Sequence, residues 1–289
     1  MTYVGGMYAE RHPGPGLADR IACGWHRISE APYTQLVVPD ACVDLIWGAS
    51  GLFVAGPDTG PMPASVASGE TVVGIRFRPG AVGDFFGVPL HELRDRRVPL
   101  TDLPGHEPLL ADLLDPPPAP LPQWRPQSPG FGLPDRALDR APDRAPDDAL
   151  RHPPPVTGPP QRGVAPPTRV AEAEARLGVM RAVVGRRLAA APADPAARAM
   201  ATALGSGRSV AQVAWDLGYS ERQLQRRSVT SFGYAPKTLQ RVVRFQRALR
   251  LAREGVPPAE VAVRAGFTDQ AHLANDVKRL SGVQLSRLI

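Results

Sequence analysis

Two stretches near the C-terminal end of this 289-residue chain repeat one pattern, and that repeat restricts the fold more than any other feature. The first reads Val213-Ala-Trp-Asp-Leu217-Gly218-Tyr219-Ser220-Glu-Arg-Gln-Leu224. The second reads Val261-Ala-Val-Arg-Ala265-Gly266-Phe267-Thr268-Asp-Gln-Ala-His-Leu273. In each, a short amphipathic helix runs into glycine. An aromatic follows, then a hydroxyl residue, then a second helical stretch. Gly218 and Gly266 can take the left-handed backbone that ends a helix and turns the chain sharply. Tyr219 and Phe267 are expected to wedge between the paired helices. Ser220 and Thr268 are expected to cap the second helix of each pair. Two helices joined in this way form a helix-turn-helix, whose second helix is the one that enters a major groove.

Between the copies, residues 236–254 predict one long helix. Pro236 suits its first turn, and Gly255-Val-Pro-Pro258 ends it. Leu239, Val242, Val243, Ala248, Leu249 and Leu251 are set against a face of arginines. Its 19 residues span about 28 Å at roughly 1.5 Å each, close to the ~34 Å of one DNA turn. Such a helix can hold two recognition helices in successive major grooves on one side of a duplex. The charge agrees. Residues 194–289 carry 15 Lys and Arg against 7 Asp and Glu, a net +8, while the whole chain is +6, which leaves −2 for the rest. A basic domain on a near-neutral body suits a polyanion; charge alone also fits a merely solvated basic face.

The most specific pieces are Gly218-Tyr-Ser-Glu-Arg-Gln-Leu-Gln-Arg226, Gly233-Tyr-Ala-Pro-Lys237 and Gly266-Phe-Thr-Asp-Gln-Ala-His-Leu273. With them, residues 194–289 resemble the AraC family DNA-binding domain. The resemblance implies seven helices, with recognition helices near 220–230 and 269–280. It implies base-edge contacts by Arg222, Gln225 and Arg226 in the first and by Gln270 and His272 in the second, Arg being suited to guanine and Gln to adenine. Arg227 is expected on phosphate. Ser220, Lys237, Thr268, Asn275 and Lys278 complete the expected DNA-binding set. The sequence departs from the family pattern at Ser228 and Val277, where an aromatic is usual, at Asn275, often Arg, and at Leu285, commonly Pro. Asp276 adds a negative charge that is expected to lie beside the phosphates. The second unit is therefore expected to read DNA more weakly than the first.

Residues 1–114 read differently. Short β-type runs at 35–38, 43–47, 52–55 and 71–77 are punctuated by Pro39-Asp40, Gly48, Gly56-Pro57-Asp58 and Pro79-Gly80. They predict a β-rich barrel or sandwich, with short helices at 81–86 and 90–93. His12-Pro13 with Trp25, Val38-Pro-Asp-Ala-Cys-Val-Asp-Leu-Ile46 and Gly74-Ile-Arg-Phe-Arg-Pro-Gly80 are similar to the β-rich sensor-type domain that precedes AraC-type domains in many regulators. Asp44 inside an apolar strand requires a partner. It fits either a buried link to an arginine or to the backbone, or a ligand pocket built from Asp44, Trp47 and Arg76.

Residues 115–168 include 17 prolines and a near-repeat, Pro134-Asp-Arg-Ala-Leu-Asp-Arg-Ala-Pro-Asp-Arg-Ala-Pro-Asp-Asp148. Such composition buries too little apolar surface to offset its chain entropy and predicts a disordered linker. A connecting helix is expected over 169–193. Its apolar positions Val170, Leu177, Met180, Val184 and Leu188 suit either packing within its own domain or a dimer seam. The expected order is thus a β-rich domain (1–114), a linker (115–168), a connecting helix (169–193) and an all-α domain with two helix-turn-helix units (194–289), an α+β multidomain chain.

Two cysteines, Cys23 and Cys42, cannot build a disulfide framework and include no CxxC pair. His12, His26, His91 and His106 lack metal-ligand spacing, and no nucleophile elbow or phosphate loop is present. No cofactor, metal or enzymatic activity is expected. No apolar run is long enough to span a bilayer and no signal core is present, so a cytoplasmic location is expected. The sequence thus points to a transcription regulator, activator or repressor. Its partners would be double-stranded DNA, RNA polymerase, a small-molecule effector and a second copy of the chain. A competing class is an alkylation-repair protein with an activated cysteine. That needs an electropositive thiolate, and neither Ala-Cys23-Gly-Trp nor Asp-Ala-Cys42-Val supplies one. A third class is a small-molecule module with a vestigial DNA domain, which the intact, basic first motif opposes.

Overall fold

A computed structural model describes residues 6–14, 16–116, 167–191 and 194–289. The expected linker therefore lies, apart from its ends, outside the described residues. The N-terminal part carries eight strands among the described residues: β1 (Gly6–Arg11), β2 (Ile21–Ser29), β3 (Tyr33–Val37), β4 (Val43–Gly48), β5 (Gly51–Ala55), β6 (Met62–Val66), β7 (Thr71–Phe77) and β8 (Arg97–Pro99). Six form an antiparallel sheet ordered β1-β2-β7-β4-β5-β8, and β3 pairs with β6 in a separate ribbon. The four runs read as strands in the sequence are β3, β4, β5 and β7. Residues 81–86 form turns rather than the expected helix, whereas α1 (Leu90–Leu93) lies where a helix was expected. A further helix, α2 (Glu107–Leu114), follows.

Alternation along the strands builds two faces. Val43 and Leu45 on β4 and Val73, Ile75 and Phe77 on β7 join one apolar core. Asp44, Ile46, Val72 and Arg76 face the other way, toward the β3–β6 ribbon. The core face is covered by α3 (Pro167–Ala190), 24 residues long, which lies across β2 and β7. Its buried stripe is Ala173, Leu177, Met180, Val184 and Leu188. The helix expected to be a connector is thus an integral part of the β-rich core, and its apolar stripe is spent on the sheet rather than on a dimer seam. Gly24 allows the close approach, since a Cβ there would stand 3.0 Å from Leu177 Cδ1. Buried Arg20 fastens the C-terminal end of α3. Its guanidinium donates to the carbonyls of Ala81, Val82 and Leu188 at 2.9–3.2 Å, and to Ala191. A cation there also opposes the negative end of the helix dipole.

His26 lies under α3, fully buried, with neither ring nitrogen hydrogen-bonded among the described residues. Its nearest charge is Glu174, 3.5 Å away. Burial holds the imidazole below its ordinary pKa, against the pull of Glu174. The neutral form is therefore the folded form. As pH falls through about 6.5, the unfolded chain takes up the proton first and stability is lost. Thermal unfolding of the sheet domain is expected at lower temperature at pH 5.5 than at pH 7.5, and His26→Phe should flatten that dependence. An unchanged pH profile in the variant would assign the acid sensitivity elsewhere.

The C-terminal part is all-helical: α4 (Pro195–Gly205), α5 (Val210–Asp216), α6 (Glu221–Phe232), α7 (Pro236–Arg253), α8 (Pro258–Ala265) and α9 (Gln270–Ser281), then a 3-10 turn at Leu285–Arg287. The six α-helices and this 3-10 helix make seven helical elements among the described residues, the number the resemblance implies. α7 runs through the middle, in contact with α4, α6, α8 and α9. Leu239, Val242, Phe245 and Leu249 are buried along it. Val38 and Ala41, from the turn between β3 and β4, belong to the same apolar cluster, so the two halves of the chain share buried surface.

Candidate nucleic-acid interface

Each helix pair is locked by local chemistry. Ser220 caps α6, accepting from the Gln223 amide at 3.2 Å, while Gln223 Oε1 accepts from the Ser220 amide at 2.8 Å. That reciprocal pair satisfies two of the helix's otherwise free donors. A second such box, Ser209 with Gln212, opens α5. Gly218 and Gly266 have φ of 69° and 87°, the left-handed turn that the repeat predicts. Thr268 is not the cap of α9, however. Asp269 is, its carboxylate accepting from the His272 amide at 2.7 Å. Phe267 is buried and Tyr219 half-buried at the matching place. Ser228 and Val277, where larger residues are usual in the family, are both fully buried. Ser228 Oγ donates to the Tyr234 carbonyl at 2.7 Å, which ties the end of α6 to the turn before α7.

Arg222, Gln225 and Arg226 stand at i, i+3 and i+4 on α6, which puts them on one face. All three are exposed, and none is bonded to another described side chain. Arg227 is engaged differently. Its guanidinium lies 3.7 Å from Asp194, the N-cap of α4, and stacks over the Tyr219 ring at 4.7 Å. That holds it toward α4 and away from the exposed face of its neighbours. Lys237 is exposed in the first turn of α7. On α9, Gln270, Asn275 and Lys278 are exposed. His272 is half-buried, edge-on to Phe267 at 5.2 Å, with Nδ1 3.4 Å from Thr268 Oγ1 and Nε2 3.7 Å from Asp276. Asp276 does not stand beside the phosphates as expected. It is buried against α7, 3.6 Å from both Arg241 and Arg244. Two arginines within reach of a carboxylate make burial tolerable, and the sequence pattern of α9 alone cannot reveal arginines on another helix. Arg279, exposed in the last turn of α9, adds a cation that the sequence reading missed. Trp215 on α5 and Val263 on α8, at matching places in the two units, are exposed apolar residues.

The sheet domain encloses a cavity of about 460 Å³ between its larger sheet and the β3–β6 ribbon. Asp44 and Arg76 are directly paired strand partners, with Arg76 Nε 3.2 Å from Asp44 Oδ1, and both line it. Trp25 Nε1 donates to Asp44 at 2.7 Å. Asp40 lies 3.7 Å from Arg76. Burial works against the Arg76 charge, yet Asp44 and Asp40 hold its pKa well above the usual value. Arg76 Nη1 is left without a partner among the described residues. Trp47 does not belong here. It is on the opposite face of β4, with Arg176 stacked on it at 5.6 Å, as strand alternation requires. Trp25, Tyr8, Arg27, Asp58 and Arg97 join the lining instead. Both thiols are buried, and burial pushes Cys23 up to about 12 and Cys42 well above its ordinary value. Neither is an activated thiolate at neutral pH. The described residues include no metal-binding cluster, and no helix among them is long and apolar enough to cross a membrane.

Residues 213–288 match the model of a helix-turn-helix domain family, and residues 9–99 match a domain of unknown function, DUF6597. No curated protein matches the chain. Among solved structures, ToxT from Vibrio cholerae aligns at 9% identity, over 99% of this chain and 97% of that one, with a TM-score of 0.36. ToxT from the same organism bound to an unsaturated fatty acid aligns at 9% identity, over 98% and 93%, with a TM-score of 0.36.

Proposed function

We propose that this chain, a DNA-binding regulator whose C-terminal part is an AraC-type helix-turn-helix domain, controls transcription by laying α6 and α9 in successive major grooves. The observation that carries this is the pair of capped helices joined by α7, whose 18 residues measure about 27 Å. Each presents exposed polar side chains along one face, and the domain around them is strongly basic. Arg222, Gln225 and Arg226 are the proposed base readers of α6. Gln270, His272 and Asn275 are those of α9. Lys237, Lys278 and Arg279 are assigned to phosphates, and Ser220 and Thr268 to the ends of the two helices nearest the DNA. The reading includes no catalytic step and places the protein with the DNA in the cytoplasm.

The cavity supports a small-molecule effector. Its volume suits a ligand of modest size. Arg76, Asp40 and Asp44 offer polar contacts at one end, and Val37, Ile46, Phe53 and Val72 offer an apolar wall. Contacts with RNA polymerase and a second copy of the chain belong to the same reading.

Selection of duplexes from a random pool by the full chain, followed by footprinting, tests the DNA reading. Two protected blocks about one helical turn apart are expected. Each neutralised phosphate steepens the dependence of log K on log salt by about 0.9, so a slope steeper than about −4 is expected on the selected duplex. A slope near zero, or failure to enrich any sequence, would overturn it.

A further inference from the structure

One loop of the sheet domain touches the ends of both recognition helices. Residues 56–61 join β5 to β6. Pro57 packs on Gly233, the C-cap of α6, so closely that a Cβ there would fall 2.6 Å from Pro57 Cγ. Pro61 lies against Gly282, the C-cap of α9, where a Cβ would meet Pro61 Cγ at 3.5 Å. Both glycines adopt positive φ, 81° and 74°, which glycine accepts without strain. The loop therefore sits behind both helices, at the ends opposite their N-terminal caps.

The loop is itself seated rigidly. The Gly56 amide donates to the Arg96 carbonyl at 3.0 Å, and the Asp95 amide donates to the Pro57 carbonyl at 3.2 Å. Thr59 donates its amide and hydroxyl to Asp95, at 2.6 and 2.9–3.0 Å. Arg97 forks onto Asp58 at 2.8 and 2.7 Å. The strip that anchors the loop reaches the helices as well, because Arg94 Nη1 donates to the Gly233 carbonyl at 3.1 Å. On the loop's other side is the cavity, whose lining includes Gly56, Asp58 and Arg97. One short, tightly hydrogen-bonded plate thus has the cavity on one side and the C-caps of α6 and α9 on the other. Tyr234, next to Gly233, is buried with its hydroxyl unpartnered among the described residues. Asp40, Cys42 and Asp58 are among its electrostatic neighbours.

We propose that the 56–61 loop couples occupancy of the cavity to DNA binding, by holding the C-terminal ends of both recognition helices against the cavity wall. This rests on the reading of α6 and α9 as the DNA-binding helices. A group that displaces Asp58 or Arg97 shifts the plate, and the plate shifts both helices together. Linkage makes the coupling reciprocal. DNA that fixes α6 and α9 must then change the opening of the cavity, which allows a test before any effector is known.

The probe is the thiol of Cys42, which lines the cavity and is buried. The full chain is labelled with N-ethylmaleimide, with and without a saturating duplex that it has itself selected. Mass spectrometry follows Cys42, with glutathione in the same tube as the internal reference, because Cys23 pairs across β2 and β7 with Arg76 and shares its face. The ratio of the Cys42 to the glutathione labelling rate is expected to change about fivefold or more on DNA binding, the lower end of typical coupling between sites. A Gly-Ser dipeptide inserted between Thr59 and Gly60 should bring that change below about twofold while the duplex is still bound. Asp95→Ala, which removes the seat of Thr59, should do the same if the insertion variant fails to fold. An unchanged ratio in the parent chain overturns the proposal. So does a change that persists in a folded loop variant, since that would route the coupling elsewhere. If the chain selects no duplex at all, it is the DNA reading that has failed.

Discussion

Asp44→Ala is expected to destabilise the sheet domain by about 3–5 kcal/mol, the usual result of removing one partner from a buried ion pair. Arg76 is only 4% exposed. Its guanidinium loses both Asp44 oxygens, at 3.2 and 3.3 Å, and keeps only Asp40 at 3.7 Å. The Trp25 indole also loses its acceptor, and an unsatisfied buried donor adds to the loss. Arginine does not escape by giving up its proton, so the cost appears in full. The residue sits on β4, hydrogen-bonded to β5 and β7 at the centre of the six-stranded sheet. Asp44→Asn should cost less, since an amide oxygen can still accept from Trp25. Urea unfolding followed by far-ultraviolet circular dichroism and Trp fluorescence measures both. A loss below about 1 kcal/mol in the alanine variant, on the same scale, would mean that Asp40 swings in as the sole counter-ion of Arg76.

That ion pair illustrates what could be read from the sequence. A lone Asp in an apolar strand announces a partner, and Arg76 lies in another apolar run. Their adjacency depends on the order β7-β4, which periodicity cannot supply because the two strands are far apart in the chain. β2 was missed for a related reason. Its 21–29 run mixes Gly, His and Arg among apolar residues, since one face meets α3 and the other a polar cavity. With β2 unread, Trp25 could not be placed opposite Gly74 or beside Asp44. Trp47 is three residues from Asp44, and strand alternation therefore puts it on the far face of β4, away from the pocket.

The helical half was legible because its signals are local. A left-handed glycine, a hydroxyl or carboxylate cap and an i, i+3, i+4 face all fall within one helix and its neighbouring turn. Reading failed where the partner is distant. Asp276 looked exposed by its place in the motif, yet Arg241 and Arg244 of α7 draw it inward. The contact of Gly233 and Gly282 with the 56–61 loop has no local signature, because a C-cap glycine is explained by its φ alone.

The relative weight of the two recognition helices follows from these placements. In α6, Arg222, Gln225 and Arg226 share one exposed face and are bonded to no other described side chain. Two arginines there can each offer a planar fork to guanine O6 and N7. α9 is expected to be the weaker reader, though not because Asp276 repels phosphate, since Asp276 is buried. His272 lies against Phe267, with Thr268 and Asp276 near its two ring nitrogens, and must leave those neighbours to contact a base. Asn275 is also shorter than the arginine often found there in the family. Sequence specificity is therefore expected to concentrate in the half-site bound by α6. Arg226→Ala should cost about 1–3 kcal/mol of binding and relax one base position, while His272→Ala should cost less than about 1 kcal/mol on the same scale. Both variants can be titrated against the selected duplex and its single-base variants. If His272→Ala loses more affinity and more discrimination than Arg226→Ala, α9 is the dominant reader, and the contacts of His272 with Phe267, Thr268 and Asp276 are what orient it toward the base.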